Sequence, residues 1–475
     1  MKMKSVFAGL FVLGLILLVQ VSGAQDRSAA IESLLKEEMA RQKIPGMSAV
    51  VAREGKILNE AHIGLANLEL ETPVNEHTAF LIASMSKIYT SAAVHLLAEK
   101  GKLDLDESIR KYLPDAPESW QKIKLQHLIN HQSGLVDDWT LHDDWENTEK
   151  SIMALATTNR DFLKALYAQP LLFEPGTDLR YQAGTYILGL VIEDVSGMSY
   201  PKFMKKEVFD PMGLKETWVE DPVGLIPHRA SGYLLEDGKL VNGHRLARVT
   251  LKRGDVGIRT SARDIAKFLV GLKKKGKLLE DPSKMNVLGR QADGGVTTRT
   301  NGGWFISYLR GSATSEHGGL YRAGFTSTMF EFVDEGLTVV LLANRADAST
   351  FSIVLKLASL FNPIFKPIRQ QEFERKPAPD PKYAAALTAI SENRIDPKVM
   401  SSAFPITYYR HLSKGYGNNS DLEVLGSFSM SGKRRMVFGQ LLNEIVFVRF
   451  DKNKYTGIYL DPEGKIIFVE LFETP

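Results

Sequence analysis

Several serines in this chain have a lysine three residues further on, Ser33 and Ser84 among them. Ser84-Met85-Ser86-Lys87 and Ser33-Leu34-Leu35-Lys36 both fit the pattern Ser-x-x-Lys. On a helix, residues three apart share a face, so the hydroxyl and the amine can touch. A neutral amine can accept the serine proton, and a charged one can stabilise an adjacent anion. Either role activates a nucleophile that is weak alone. Spacing by itself decides little, because roughly two such matches are expected by chance in a chain of this length.

The surroundings separate the two. Ser33 lies on an amphipathic stretch, Ala29 to Gln42. Ser84 follows the apolar run Phe80-Leu81-Ile82-Ala83 and precedes Ile88-Tyr89-Thr90 and a long apolar helix. Downstream come Leu128-Ile129-Asn130-His131-Gln132-Ser133-Gly134-Leu135, then Pro175-Gly176-Thr177 and Tyr181. His317-Gly318-Gly319 and Gly324-Phe325-Thr326-Ser327 complete the series.

From about Ile44 to Leu360 this ordered series resembles the serine β-lactamase-related family. That family includes class C β-lactamases, DD-carboxypeptidases, D-aminopeptidases and β-lactamase-like esterases. The resemblance implies that Ser84 is the acylated nucleophile and Lys87 its partner. It implies that Tyr181, where the family has the Tyr of Tyr-x-Asn, is the general base and later the acid. His317-Gly318-Gly319 falls where members carry Lys-Thr-Gly or His-x-Gly, on a strand lining the substrate. The backbone N–H groups of Ser84 and Leu320 would form the oxyanion hole. One departure stands out: Tyr-x-Asn is here Tyr181-Gln182-Ala183, so Ala183 brings no amide, and Gln182 is the remaining amide in the lining set. A literal Tyr416-Gly417-Asn418 comes after the His-Gly-Gly element, in the wrong order, and is read as chance.

Other groupings carry less. His127 and His131 are four apart, but position 128 is Leu, so the His-Glu-x-x-His arrangement of zinc peptidases is not met. His131 falls in the family's Leu-x-x-His-x-Ser-Gly-Leu segment, where the His is structural. No metal site is expected, and the reaction needs no cofactor. Asp137-Asp138 and Asp143-Asp144 read as a solvated acidic loop. The chain has no cysteine, which excludes a thiol nucleophile, a thiolate zinc site and a disulfide framework.

Elements must hold these residues. Strands are expected at Met47 to Ala52 and Ile57 to Ile63 with a Glu54-Gly55 turn, and again at Arg322 to Phe332 and Leu337 to Ala343. Helices are expected from Ser84 to about Lys100, ended by a left-handed Gly101, and from Ser349 to Phe361. Arg375 to Pro381 reads as a stiff linker. A helix at Tyr383 to Asn393 and short strands from Leu422 to Phe472 follow it. The expected fold is α/β, strictly α+β: a β-lactamase and penicillin-binding-protein-like antiparallel sheet flanked by helices, with a helical subdomain. The expected division is a leader at 1–24, a hydrolase domain at 25–368, a linker at 369–382 and a small cystatin-like α+β domain at 383–475.

The leader reading rests on Lys2 and Lys4 before a 14-residue apolar run, Val6 to Val19. That run suits a signal peptide better than a bilayer span, with cleavage after Ala24. An exported, periplasmic or extracellular protein without a membrane span is then expected. The net charge of +3 argues against nucleic acid as a partner. The expected partner is a small ester, a D-amino-acid amide or a peptidoglycan-like peptide, hydrolysed through an acyl-serine. The rival reading is a sensor or scaffold of the same fold that has lost turnover, and Ala183 is its only support.

Overall fold

Gly46–Arg53 is apolar at nearly every position, which asks for burial on both faces rather than one. In the computed structural model this strand is indeed covered on both sides. Met47, Ala49 and Val51 pack with Ile31 and Leu35 of helix 27–42 and with Ile353 and Val354 of helix Thr350–Ser359. Val50 points the other way, into the core shared with helix Ser86–Glu99 and helix Ala262–Lys273. The alternation is that of an ordinary strand; helices simply occupy both sides. The structure describes residues 27–136, 158–181, 184–221, 223–244, 254–285, 300–406, 416, 422–430, 435–450 and 454–470.

The main sheet has eight antiparallel strands. In order they are Thr72–Pro73, Lys56–Asn67, Gly46–Arg53, Leu337–Ala343, Phe325–Phe332, Ser312–Tyr321, Trp304–Leu309 and Thr300–Asn301. Glu54 and Gly55 turn the first hairpin with φ of 47° and 78°, the double left-handed geometry of the tightest hairpins. Gly101 closes its helix with φ of 65°, as expected. Residue pattern did not announce Trp304–Leu309, and it did not announce Ser312–Tyr321, where a strand is expected at His317-Gly318-Gly319 from the resemblance alone. The second reads SATSEHGGLY and owes its conformation to pairing with Phe325–Phe332, not to local propensity. No helix among the described residues is long and apolar enough to cross a membrane.

The C-terminal region has its own sheet, ordered Glu423–Ser429, Glu444–Phe450, Lys454–Leu460, Ile466–Val469, and helix Pro381–Ser391 packs on it. The stretch read as linker lies along this unit. Ile368 belongs to its core, and Phe373 packs on Phe428 and Phe447 at 5.7 and 5.5 Å. Gly426 makes room for it: a Cβ there would sit 2.1 Å from the Phe373 ring. Ser427 bonds Arg375 and Glu374 through the backbone at 2.8 and 3.2 Å.

Candidate active site

Backbone contacts, more than its own side chain, place Ser84. Phe80–Leu81 pairs with Ile258–Thr260. Ile82 extends the pairing by donating its N–H to the Ile258 carbonyl at 3.0 Å. The Ile82 carbonyl accepts from Ser327 Oγ at 2.8 Å. Ala83 then turns at φ 47°, an uncommon conformation for a residue with a Cβ. A single 3-10 turn, Ala83–Met85, leads into helix Ser86–Glu99 and leaves Ser84 half-buried at its start. Below this turn a buried ion pair, Arg259 to Glu220 at 2.5 Å, also holds the carbonyls of Ala79 and Ala230.

Lys87 is 3% exposed. Its amine donates to Ser84 Oγ and to the Asp255 carbonyl, each at 3.3 Å. The helix cannot rotate away. Ser86, the other serine of the motif, accepts the Ile258 N–H at 2.9 Å, and Thr90 donates to the Gly254 carbonyl at 2.5 Å. Sequence reasoning missed the Asp255 carbonyl, and a carbonyl ligand leaves no signature in residue type.

Tyr181 arrives on a loop fastened to the His131 segment. Arg180 N–H bonds the His131 carbonyl at 2.9 Å, Gly176 N–H that of Gln132 at 2.8 Å, and Leu172 N–H that of Gly134 at 2.7 Å. The Tyr181 ring lies 4.5 Å from the His131 ring and stacks on Phe305 at 5.9 Å. The Lys87 amine is 4.9 Å from its centroid. Ser84, Lys87 and Tyr181 are therefore brought together. Phe305 was not foreseen; it comes from the unexpected strand Trp304–Leu309. Gln182 and Ala183 lie outside the described residues, as do Asp137-Asp138 and Asp143-Asp144.

The Ser312–Tyr321 strand completes the site. Its pairing with Trp304–Leu309 stops at Glu316, so from His317 onward it continues without that neighbour. Gly319 packs on the turn before Ser84, and a Cβ there would lie 2.1 Å from the Ile82 carbonyl oxygen. A Cβ at Gly318 would meet the Ser327 carbonyl oxygen at an ordinary 3.6 Å, and Leu320 is 46% exposed. His317 is buried at 1% exposure, its ring 5.4 Å from Phe305. Its Nδ1 lies 2.6 Å from the Gly318 carbonyl, so Nδ1 carries the proton. Burial and the Lys87 charge push its pKa down to about 3, against the Gly318 hydrogen bond, so at neutral pH the ring is uncharged.

Several candidates stand apart. Ser33 and Lys36 are on the solvent side of helix 27–42. Tyr416 is buried in the C-terminal unit, its hydroxyl on the Glu470 carbonyl at 2.8 Å. His127 Nδ1 accepts the Lys124 N–H at 3.3 Å at a helix start, and His131 faces Tyr181. Among the described residues no three His, Cys, Asp or Glu side chains cluster as metal ligands would.

A family model described as Beta-lactamase matches residues 31–357. Over 353 residues the chain is 26% identical to penicillin-binding protein 4* of Bacillus subtilis (strain 168), covering 70% of this chain and 76% of that one. It is 28% identical over 362 residues to esterase EstB of Burkholderia gladioli, covering 68% and 92%. A penicillin-binding protein structure from Bacillus halodurans superposes with a TM-score of 0.58 at 27% identity, covering 69% of this chain and 99% of that one. The match spans the elements that carry Ser84, Lys87, Tyr181 and His317, and the chain belongs to the Beta-lactamase family.

Proposed function

We propose that the chain is a serine hydrolase working through an acyl-Ser84 intermediate, on esters, D-amino-acid amides or short peptidoglycan-like peptides. One observation carries this reading: the amine of a buried lysine lies 3.3 Å from Ser84 Oγ, with the Tyr181 ring beside it. Ser84 Oγ attacks the substrate carbonyl as its proton passes to the Lys87–Tyr181 pair. The N–H groups of Ser84 and Leu320 receive the oxyanion. The proton then goes to the leaving group, and water, deprotonated by the same pair, releases the acid.

Within that class we propose that esters and D-amino-acid amides are favoured over β-lactams. A neutral His317 offers no cation to a substrate carboxylate, and Ala183 offers no amide to a substrate carbonyl. A lost hydrogen bond of that kind is worth roughly 1–3 kcal/mol, or about ten- to a hundredfold in rate. The resemblance to an esterase as well as to penicillin-binding proteins supports the same ordering. The test pairs a fluorophosphonate with a labelled penicillin, locates the adduct by mass spectrometry, and compares kcat/KM for p-nitrophenyl butyrate, a D-alanyl anilide and nitrocefin. An adduct on Ser84 and nitrocefin as the poorest substrate are expected. An adduct elsewhere overturns the mechanism, and nitrocefin as the best substrate overturns the ordering.

A further inference from the structure

The strand that carries His317 and Leu320 begins at a hairpin tip held by the C-terminal domain. Arg310 and Gly311 form that tip, with φ of 51° and 77°. The Arg310 side chain is 1% exposed and its guanidinium pairs with Glu470, which is completely buried. Glu470 also accepts the Arg310 backbone N–H and the Tyr459 hydroxyl. That hydroxyl in turn accepts the Gly311 N–H at 2.8 Å. One carboxylate thus gathers the tip and the domain into a single polar knot.

Two further grips flank it. Tyr308 packs on Phe438 at 4.8 Å and Phe468 at 5.7 Å, and its hydroxyl accepts the Phe438 N–H at 3.2 Å. Arg435 pairs at 2.7 Å with Glu335, which also accepts from Ser312. The gripped end therefore lies on the same hairpin as Phe305 and His317. From the tip, His317 is roughly 24 Å along the strand at ~3.4 Å per residue. Beyond Glu316 the strand continues without its Trp304–Leu309 neighbour, so its position there depends on the Phe325–Phe332 strand and on the anchored tip.

We propose that the C-terminal domain positions this strand for the reaction at Ser84, and that Glu470 is the positioning residue through which it acts. The proposal rests on the hydrolase reading given above. Loosening the knot lets the hairpin drift relative to Ser84, and a misplacement of about 1 Å in a reacting geometry costs up to about a hundredfold in rate. Binding surfaces elsewhere in the cleft are left in place, so the loss falls on kcat more than on KM.

The experiment uses the full chain with Glu470→Gln and the milder Tyr459→Phe. Amide hydrogen exchange, steady-state ester kinetics and fluorophosphonate labelling of Ser84 are measured at a temperature where each variant is folded. Expected are faster exchange across residues 304–321 but not 86–99, and kcat reduced about tenfold in Glu470→Gln with a smaller change in KM. Tyr459→Phe moves both readouts the same way by less, and carries the test if Glu470→Gln does not fold. Exchange and kcat as in the unaltered protein overturn the proposal. Faster exchange with unchanged kcat overturns it too, since the hold then has no bearing on catalysis. An unaltered protein whose Ser84 never labels refutes the hydrolase reading instead, and takes the positioning role with it.

Discussion

Ser33-x-x-Lys36 and Ser84-x-x-Lys87 have the same residue types at the same spacing, yet only one pair is placed to do chemistry. Lys36 is on the solvent face of helix 27–42, its side chain 65% exposed and paired with Glu32 at 3.2 Å. Such exposed pairs are worth little. Lys87 is 3% exposed, and its amine reaches Ser84 Oγ and the Asp255 carbonyl. Backbone differs as well. Ser33 sits within a continuous helix, whereas Ser84 sits on a 3-10 turn entered through the left-handed Ala83. The lesson is that spacing makes contact available, and removal of water makes it consequential.

The comparison breaks most sharply at the nucleophile. Ser84→Ala is expected to lower kcat for p-nitrophenyl butyrate by at least about 10⁴-fold, as loss of an activated nucleophile does. Ser33→Ala should leave kcat within about twofold. Similar losses in both, or in neither, would remove Ser84 from the mechanism.

A step smaller is the lysine. Lys87→Gln keeps a polar end but cannot hold or move the proton, and should lower kcat by about 10²- to 10⁴-fold, the range of a lost acid–base group. Lys36→Gln gives up only a surface pair and should alter neither rate nor melting temperature beyond error. The pair of variants is to be assayed on one ester across a pH series. Retained activity in Lys87→Gln would mean that the proton leaves Ser84 by another route.

Much of this was readable because the informative residues come in local runs. The apolar helix after Ser84, the Glu54-Gly55 turn and the ordered motifs all announce themselves within a few positions. What stayed hidden depends on distant pairing. Trp304–Leu309 is a strand because Ser312–Tyr321 lies beside it. Phe305 enters the site because its strand pairs with that one. By sequence Ile368 falls at the end of the hydrolase domain and Phe373 in the linker, since nothing in their local sequence tells which core these apolar residues join. The join between domains was hidden too: Arg310 and Glu470 are 160 residues apart and each would ordinarily be read as surface charge.

The smallest expected effect tests whether the dry environment around Lys87 extends to its neighbour. His317 is held neutral, its pKa lowered to about 3 by burial and then by the Lys87 charge. Unfolded, it would titrate near 6.5. Between those values the unfolded chain binds a proton that the folded chain does not, so stability falls as pH drops from 6.5 towards 3 and is unaffected by this residue above 6.5. The slope from one such group is at most about 1.4 kcal/mol per pH unit. Urea melts at pH 4, 5, 6 and 7 measure it. His317→Gln should have a shallower slope than the unaltered chain. Lys87→Gln, which removes the second cause, should also lie below the unaltered chain but above His317→Gln. Lys36→Gln should keep the full slope, because its amine faces water and not His317. If the Lys87 and Lys36 variants gave the same slope, the charge of Lys87 would not reach His317, and the contrast between the two lysines would end at Ser84.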